Sequence, residues 1–152
     1  MRAQDRLPIA QLLAHIEAFD KDDQALALEL IDTALNQPEQ KEYEFLVAVD
    51  ENDQPAGYAC YGATPITDRT FSLYWIAVEP AIAGQGIGTL LLREVEERLV
   101  SRQARLLLIE TSSGPDYELT RRFYLKNGYP LVETLKDFYR DGEHRLTFGK
   151  RF

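Results

Sequence analysis

The 152-residue chain has a net charge of −8 at pH 7, with 45 % hydrophobic and 11 % aromatic residues. This composition is typical of a globular protein, and the length predicts one domain over residues 1–152. The negative charge argues against nucleic acid as a partner, and no apolar run reaches the roughly 18 residues that span a membrane. One cysteine and two histidines argue against a metal site. The lone cysteine and the lack of a signal-like segment predict a cytoplasmic protein.

The charges are unevenly distributed along the chain. Residues 14–55 contain twelve of the 25 acidic side chains but only two basic ones, Lys21 and Lys41. An acidic half beside a more basic half favours a cationic partner. For most of these acids, however, a solvated helix face is the simpler interpretation.

Hydrophobic periodicity predicts two helices and then strands alternating with further helices. The second helix has an apolar stripe of Ala25, Leu28, Ile31 and Leu35, and the third has one of Ile87, Leu91, Val95 and Leu99. This order predicts a mixed α/β fold with a mostly antiparallel sheet and helices on both faces. The strands that flank the third helix should be parallel, and no strand is evident before the first helix. The predicted helices are 8–19, 22–36, 86–102 and 117–127, and the predicted strands are 44–49, 56–63, 71–78, 105–111, 129–139 and 143–152, the last two flanking the hairpin signal Asp141-Gly142.

Three glycines, Gly84, Gly86 and Gly88, lie between a predicted strand and a predicted helix. A strand, a glycine turn and a helix together direct free backbone N–H groups at a phosphate. Position 89 is threonine, so the dinucleotide fingerprint is incomplete, and the Gly-Lys-Ser/Thr of a P-loop is absent. The alternative is a turn that serves packing alone. Because glycine inside a helix costs about 1 kcal/mol relative to alanine, phosphate binding is the preferred interpretation.

Two motifs resemble those of the GNAT-type N-acetyltransferase superfamily. The glycine loop after Val78-Glu79-Pro80 resembles its pyrophosphate loop, and Thr120–Tyr129 resembles its second signature, A-x-x-F-Y-x-K-x-G-F. The segments 73–78, 110–113 and 137–139 resemble a bacterial and archaeal subgroup. The resemblance implies an acyl-CoA N-acyltransferase fold with acetyl-CoA as the donor and no metal. It places cofactor binding at Ile76, Ala77, Val78, Gly84, Gln85, Gly86, Ile87, Gly88, Thr89 and Phe123.

Two positions depart from the superfamily pattern. Position 83 is alanine where the family usually has glutamine or arginine, and position 117 is tyrosine where many members have asparagine. Neither change removes the backbone amides that bind phosphate. We therefore expect altered cofactor affinity rather than loss of binding.

The resemblance implies direct attack of an amine on the thioester in a ternary complex. Tyr124 matches the family's general acid, and packing on the sheet is the alternative role for this side chain. Glu110, at the end of the strand where two parallel strands should separate, is the candidate general base, and burial there would raise its pKa. The alternatives are that Glu110 holds the Thr111–Ser113 turn and that Tyr74 or an ordered water is the base. Cys60 is interpreted as a core residue, so no covalent nucleophile is predicted.

The acceptor is predicted to be a primary amine, and an amino acid, a polyamine, an aminoglycoside-like drug and a protein N-terminus all remain open. The acidic N-terminal half favours a small cationic amine. A competing hypothesis is a non-catalytic acyl-CoA-binding or regulatory module with the same fold. A third, a purely structural interaction domain, predicts no binding of CoA. By analogy with the family, the C-terminal hairpin offers strands for pairing in a homodimer.

Overall fold

The computed structural model describes residues 1–152, which form a six-stranded sheet and four α-helices. Short 3₁₀ turns lie at Ala3–Asp5, Pro80–Ile82 and Pro115–Tyr117. None of the helices combines the length and apolar character that crossing a bilayer requires. The elements in chain order are α1 (Arg6–Ala14), α2 (Lys21–Asn36), β1 (Glu44–Val49), β2 (Pro55–Ala63), β3 (Thr70–Val78), α3 (Ile87–Ser101), β4 (Leu106–Ser112), α4 (Glu118–Lys126), β5 (Leu131–Arg140) and β6 (Glu143–Arg151).

The strands are arranged in the order β1-β2-β3-β4-β6-β5. Every neighbouring pair is antiparallel except β3 and β4, which flank α3 in sequence. The predicted mixed α/β fold and the predicted parallel pair are therefore confirmed. The hairpin is confirmed as well, since Arg140 pairs with Glu143 and Gly142 adopts φ +79° in the connecting turn.

The two parallel strands are paired over only part of their length. Pairing runs from Thr70 with Leu106 to Leu73 with Ile109 and then stops, although both strands continue. Beyond this point β3 stays paired with β2, and β4 stays paired with β6. Tyr74 is an extra, bulged residue, because Cys60 pairs with Trp75 while Tyr61 pairs with Leu73. The sheet thus opens between β3 and β4, and backbone groups on both sides of the opening lack strand partners.

Each face of the sheet is covered by two helices and has its own hydrophobic core. On one face α1 and α2 pack against Tyr58, Cys60 and Ala77. On the other face the buried stripe of α3 packs against the sheet together with Tyr124 of α4. This stripe, predicted as Ile87, Leu91, Val95 and Leu99, is buried from Leu91 onward, with Ile87 partly buried against the same core.

The first two helices differ in detail from the prediction. Helix α1 spans 6–14 instead of 8–19, because Pro8 fits within the first turn, where its missing N–H is not needed. The predicted helix could not have continued into α2, because Asp20 is extended and caps α2, accepting hydrogen bonds from the N–H groups of Asp22 and Asp23. In α2 the stripe is displaced, since position 25 is exposed and Ala27 is buried instead.

A polar cluster fastens α3 to the C-terminal part of the sheet. Glu96 of α3 accepts a hydrogen bond from the hydroxyl of Tyr129 at 2.7 Å and pairs with Lys150 of β6 at 2.8 Å. Tyr129 is fully buried, so its hydroxyl has no water to replace this acceptor.

We expect Glu96→Ala to lower the free energy of unfolding by about 1–3 kcal/mol, because the buried Tyr129 hydroxyl then has no partner. Urea denaturation monitored by circular dichroism measures the change. Glu97→Ala is the matched control, since Glu97 is the next residue on the same helix and is exposed; it should change stability by no more than about 0.5 kcal/mol. Equal losses in both variants would contradict the role of the cluster.

Candidate active site

The loop before α3 ends in a run of backbone N–H groups without hydrogen-bond partners in the protein. The first bonded group is that of Leu90, which donates to the Gly86 carbonyl at 2.9 Å, so the N–H groups from Gly84 to Thr89 are free. No side chain caps the start of the helix. Free amides at a helix N-terminus, where the helix dipole is positive, form an anion-binding site.

The three glycines of this loop serve two purposes. Gly84 and Gly86 have φ +82° and +91°, and a Cβ at either position would meet nothing within 4 Å. They provide a left-handed backbone conformation that faces open space, which is what an anion approaching the amides requires. At Gly88 a Cβ would lie 3.3 Å from the ring of Phe123. The third glycine therefore allows α4 to pack closely on the start of α3.

The three predicted residues of β3 alternate between the two faces of the sheet. Ile76 and Val78 are partly buried against the core beneath α3, and Ile76 also lines the cleft described below. Ala77 is buried in the core beneath α1 and α2, so its side chain is not available to a cofactor. The opening of the sheet exposes backbone groups of this strand on the side of β4.

The opening between β3 and β4 leads into a cleft of about 870 Å³. Its walls come from the turn between α1 and α2, from α2, from β3 and β4, from the start of α4 and from the C-terminal hairpin. The cleft is acidic, because Arg140 is the one basic side chain among its lining residues. Its six carboxylates belong to Glu17, Asp20, Asp23, Glu110, Asp116 and Glu143.

Tyr124 lies in this cleft and is 5 % exposed. Its ring packs between Phe123 and Phe148, with centroid distances of 5.5 and 5.7 Å. Its hydroxyl takes part in none of the side-chain hydrogen bonds of the protein and is not sealed from solvent. Burial raises the pKa of Tyr124 well above its usual value, so the hydroxyl stays protonated at neutral pH and is available as a hydrogen-bond donor.

Glu110 lies in the same cleft as Tyr124, at the point where β4 has left β3. The burial expected from the sequence is not found, since the side chain is 52 % exposed and faces Arg145 of β6 at 3.6 Å. Here β4 borders the opening of the sheet, where solvent reaches the carboxylate. The alternative base Tyr74 also lines the cleft; partial burial raises the pKa of Tyr74, which keeps it protonated and makes it a poor base.

Arg145 was not singled out by the sequence. Its guanidinium lies over the ring of Phe138 at 4.7 Å, and its Nε is buried without a hydrogen-bond partner. Cross-strand pairing with Ser112 places it beside Glu110, although it does not line the cleft itself. Because this pairing is non-local, no spacing in the sequence indicates it.

The turn between β4 and α4 is held by hydrogen bonds that do not involve Glu110. Ser112 accepts from the N–H of Gly114 at 2.8 Å and donates to Glu143. Arg121 donates to the carbonyls of Ser112 and Gly114 at 2.9 and 2.6 Å. These contacts leave the Glu110 carboxylate free of the turn. Hydrogen bonds from Ser112 and Arg140 lower the pKa of Glu143, so this second carboxylate is ionised.

The two departures from the superfamily pattern have different consequences. Ala83 is exposed and extended and leaves the free amides unaffected. Tyr117 bridges the cleft, since its hydroxyl donates to the carbonyl of Ala18 at 3.0 Å. Tyr117 and Ala18 both line the cleft. Tyr117 therefore joins the turn that follows β4 to the turn that precedes α2.

The remaining candidate groups, Cys60 and the two histidines, do not line the cleft. Cys60 is fully buried in the core beneath α1 and α2, and burial raises the pKa of its thiol, which makes it a poor nucleophile. His15 faces Glu79, and His144 accepts a hydrogen bond from the N–H of Asp137. No group of three or more His, Cys, Asp or Glu side chains is arranged to hold a metal ion.

Comparison with known proteins identifies the family. The chain matches the sequence profile of the Acetyltransferase (GNAT) family over residues 10–129. It is 38 % identical to a GNAT-family structure from Desulfovibrio desulfuricans, covering 98 % of this chain and 93 % of that one with a TM-score of 0.93. The chain belongs to the GNAT family of acetyltransferases. It is therefore an acyltransferase, and the resemblance noted in the sequence is confirmed.

More distant GNAT structures share the fold. The ribosomal-protein-S18-alanine N-acetyltransferase of Escherichia coli is 18 % identical, with a TM-score of 0.75 and coverage of 99 % of this chain and 90 % of that one. An aminoglycoside 6'-N-acetyltransferase complexed with coenzyme A is 21 % identical, with a TM-score of 0.71 and coverage of 97 % and 89 %. No protein of curated function matches the sequence of this GNAT member. These two enzymes act on different classes of acceptor, so the fold alone does not identify the acceptor of this chain.

Proposed function

We propose that residues 1–152 act as one domain that transfers the acetyl group of acetyl-CoA to a small cationic amine. The observation that supports this most strongly is the run of free amides from Gly84 to Thr89. Such a run at the start of a helix fits a pyrophosphate. The six carboxylates of the cleft favour an acceptor that arrives as an ammonium ion.

The residues present fit acetyl-CoA along the whole route from the loop to the cleft. The amides of Gly84, Gln85, Gly86, Ile87, Gly88 and Thr89 would hold the pyrophosphate, with Phe123 fixing the loop against α4. The unpaired backbone of β3 around Ile76 would hold the amides of the pantetheine arm, because the opening of the sheet leaves those groups without partners. Bound there, acetyl-CoA supplies a thioester carbonyl that an amine can attack.

Direct attack in a ternary complex fits the residues of the cleft. The ammonium loses one proton to Glu110 or to a water held by it, and the neutral nitrogen forms the new N–C bond while the C–S bond breaks. The nitrogen then releases its second proton as the thiolate gains one, so the products are an amide, a thiol and one proton. The inaccessible Cys60 argues against a covalent route.

Tyr124 and Glu110 have complementary roles in this proposal. The protonated Tyr124 hydroxyl donates a hydrogen bond to the leaving sulfur, and the burial that raises its pKa opposes complete transfer of its proton. Preorganised donors of this kind stabilise charge that develops in the transition state. The exposed Glu110 can pass the proton of the amine to solvent.

Isothermal titration with acetyl-CoA, followed by turnover on a panel of amines, tests the proposal. Saturable binding with release of CoA in the presence of an amine would support the enzyme. Tight binding without turnover across the panel would favour the alternative, a non-catalytic acyl-CoA-binding or regulatory module. No binding at all would contradict both.

With an accepted amine in hand, Glu110→Gln is expected to lower kcat by at least about tenfold at neutral pH, since general-base catalysis contributes about 10²–10⁴-fold and water replaces part of it. Steady-state kinetics across pH measures the change. Glu133→Gln is the matched control, because Glu133 lies in the neighbouring hairpin, is exposed and does not line the cleft. A Glu110→Gln enzyme with unchanged kcat at every pH would exclude Glu110 as the base.

The homodimer remains a prediction. Strand β5 is at the edge of the sheet, and all of its side chains are exposed. Among them are Leu131, Val132 and Leu135. An exposed apolar edge strand is open to pairing with a second copy.

A further inference from the structure

The carboxylates of the cleft fall into two groups that differ in their partners. Glu143 pairs with Arg140, and Glu110 faces Arg145. Asp20 and Asp23, at the start of α2, accept backbone N–H groups of the helix cap but have no cationic partner in the protein. Glu17 in the preceding turn and Asp116 in the turn before α4 also lack a cationic partner. Arginines therefore compensate the negative charge near the hairpin, and no cation compensates it at the wall formed by the α1–α2 turn and α2.

Asp23 is the centre of this uncompensated wall. It is half-buried, whereas its neighbour Asp22 is exposed and does not line the cleft. Partial burial and the charges of Asp20 and Asp22 raise the pKa of Asp23. Burial, together with the charge of Asp23, raises the pKa of Tyr117 to about 12, and Tyr117 lines the same cleft. A carboxylate in such surroundings is stabilised when a cation binds beside it.

Two further features of the cleft point to a bound ligand. The hydroxyl of Tyr124 is on a side chain that is 5 % exposed, lines the same cleft and has no partner in the protein. Aromatic rings also line the cleft, among them Phe19 and Trp75 in edge-to-face contact at 5.2 Å. Aromatic faces beside carboxylates are the surroundings that bind ammonium groups.

An acidic wall around the reacting nitrogen would oppose the reaction. That nitrogen must become neutral before it attacks, and nearby uncompensated carboxylates favour its protonated form. The charges at Asp20 and Asp23 therefore favour a second cation, one that keeps its proton throughout the reaction. The reacting nitrogen instead belongs beside Glu110, whose charge is balanced by Arg145.

We infer that the acceptor carries two ammonium groups, one acetylated beside Glu110 and Tyr124, and the other held by Asp20 and Asp23 at the start of α2. This inference rests on the proposed function, because it assigns the acceptor class of the same site. The second ammonium group takes no part in the chemistry. It positions the first and contributes affinity.

Titration of the CoA-saturated protein with linear diamines and with monoamines of the same chain length tests the inference. We expect the best diamine to bind about tenfold or more tightly than its matched monoamine, as charge-assisted contacts of one ammonium group would give. Asp23→Asn should lower the ratio of diamine to monoamine affinity by about fivefold or more. The asparagine oxygen can still accept the hydrogen bond that Asp23 now accepts from the N–H of Asp20, so the helix cap is kept.

Asp22→Asn is the matched control, because it removes the same charge from the same helical turn outside the cleft. It should leave the ratio of diamine to monoamine affinity unchanged. Equal affinity of the wild type for diamines and monoamines, or equal effects of the two variants, would overturn the inference. Repeating the titrations without CoA tests the diamine preference independently of CoA binding. Failure to bind CoA would then refute only the proposed function.

Discussion

Replacement of Gly86 by glutamate is expected to weaken the binding of acetyl-CoA by about 100-fold or more, which corresponds to about 2.7 kcal/mol. Gly86 has φ +91° and faces open space beside the free amides of the loop. A glutamate there would strain the backbone and place a negative charge where the pyrophosphate would lie. Isothermal titration of both proteins with acetyl-CoA measures the difference.

The Gly128→Glu variant separates the effect of backbone strain from the effect of a negative charge at the loop. Gly128 ends α4 with φ +83°, and a Cβ there would also meet nothing within 4 Å. The strain is therefore comparable, while the loop is untouched. We expect Gly128→Glu to be less stable but to retain acetyl-CoA affinity within about threefold of the wild type. If both variants lose binding equally, the loss reflects a damaged fold, and the loop loses its assigned role.

The second large effect is expected for Tyr124→Phe. Removal of a positioned hydrogen-bond donor should lower kcat by about 100-fold or more, with little change in the KM for acetyl-CoA. The hydroxyl has no partner within the protein, and the ring is retained between Phe123 and Phe148. The melting temperature should therefore stay within about 2 °C of the wild-type value. Steady-state kinetics with the best amine from the panel, together with calorimetry, measures both quantities.

Tyr43→Phe is the matched control for Tyr124→Phe. It also removes a phenolic hydroxyl from the lining of the cleft, at a position in edge-to-face contact with Tyr74. Its kcat should remain within about threefold of the wild-type value. A Tyr124→Phe enzyme that is no slower than Tyr43→Phe would show that Tyr124 only packs the core.

The sequence predicted those features that depend on neighbouring residues. The glycine loop, the stripe of α3 and the Asp141-Gly142 turn each combine a local conformational requirement with a local residue pattern. The parallel pairing of β3 and β4 follows from the crossover between them. These elements were predicted correctly because tertiary contacts reinforce the local preference.

Features that depend on distant residues were not predicted. The exposure of Glu110 and its pairing with Arg145 depend on where β4 leaves β3 and on the register of β6. The bridge from Tyr117 to Ala18 joins residues ninety-nine positions apart. In α2 the periodicity of small and large apolar residues allows two stripes, and the packing against α1 selects the one that contains Ala27.

The parting of β3 and β4 divides the sheet into two three-stranded plates, β1–β3 and β4–β6, joined along a seam that ends at Leu73 and Ile109. Beyond the seam no backbone ladder connects the plates, so an elongated molecule that bonds to both edges would act as an additional strand. Backbone hydrogen bonds between β3 and β4 are therefore missing at the place proposed for the substrates. A ligand bound to both edges would also hold the two plates together, so its affinity and the coupling between the plates are thermodynamically linked, and we expect a substitution at the seam to alter both.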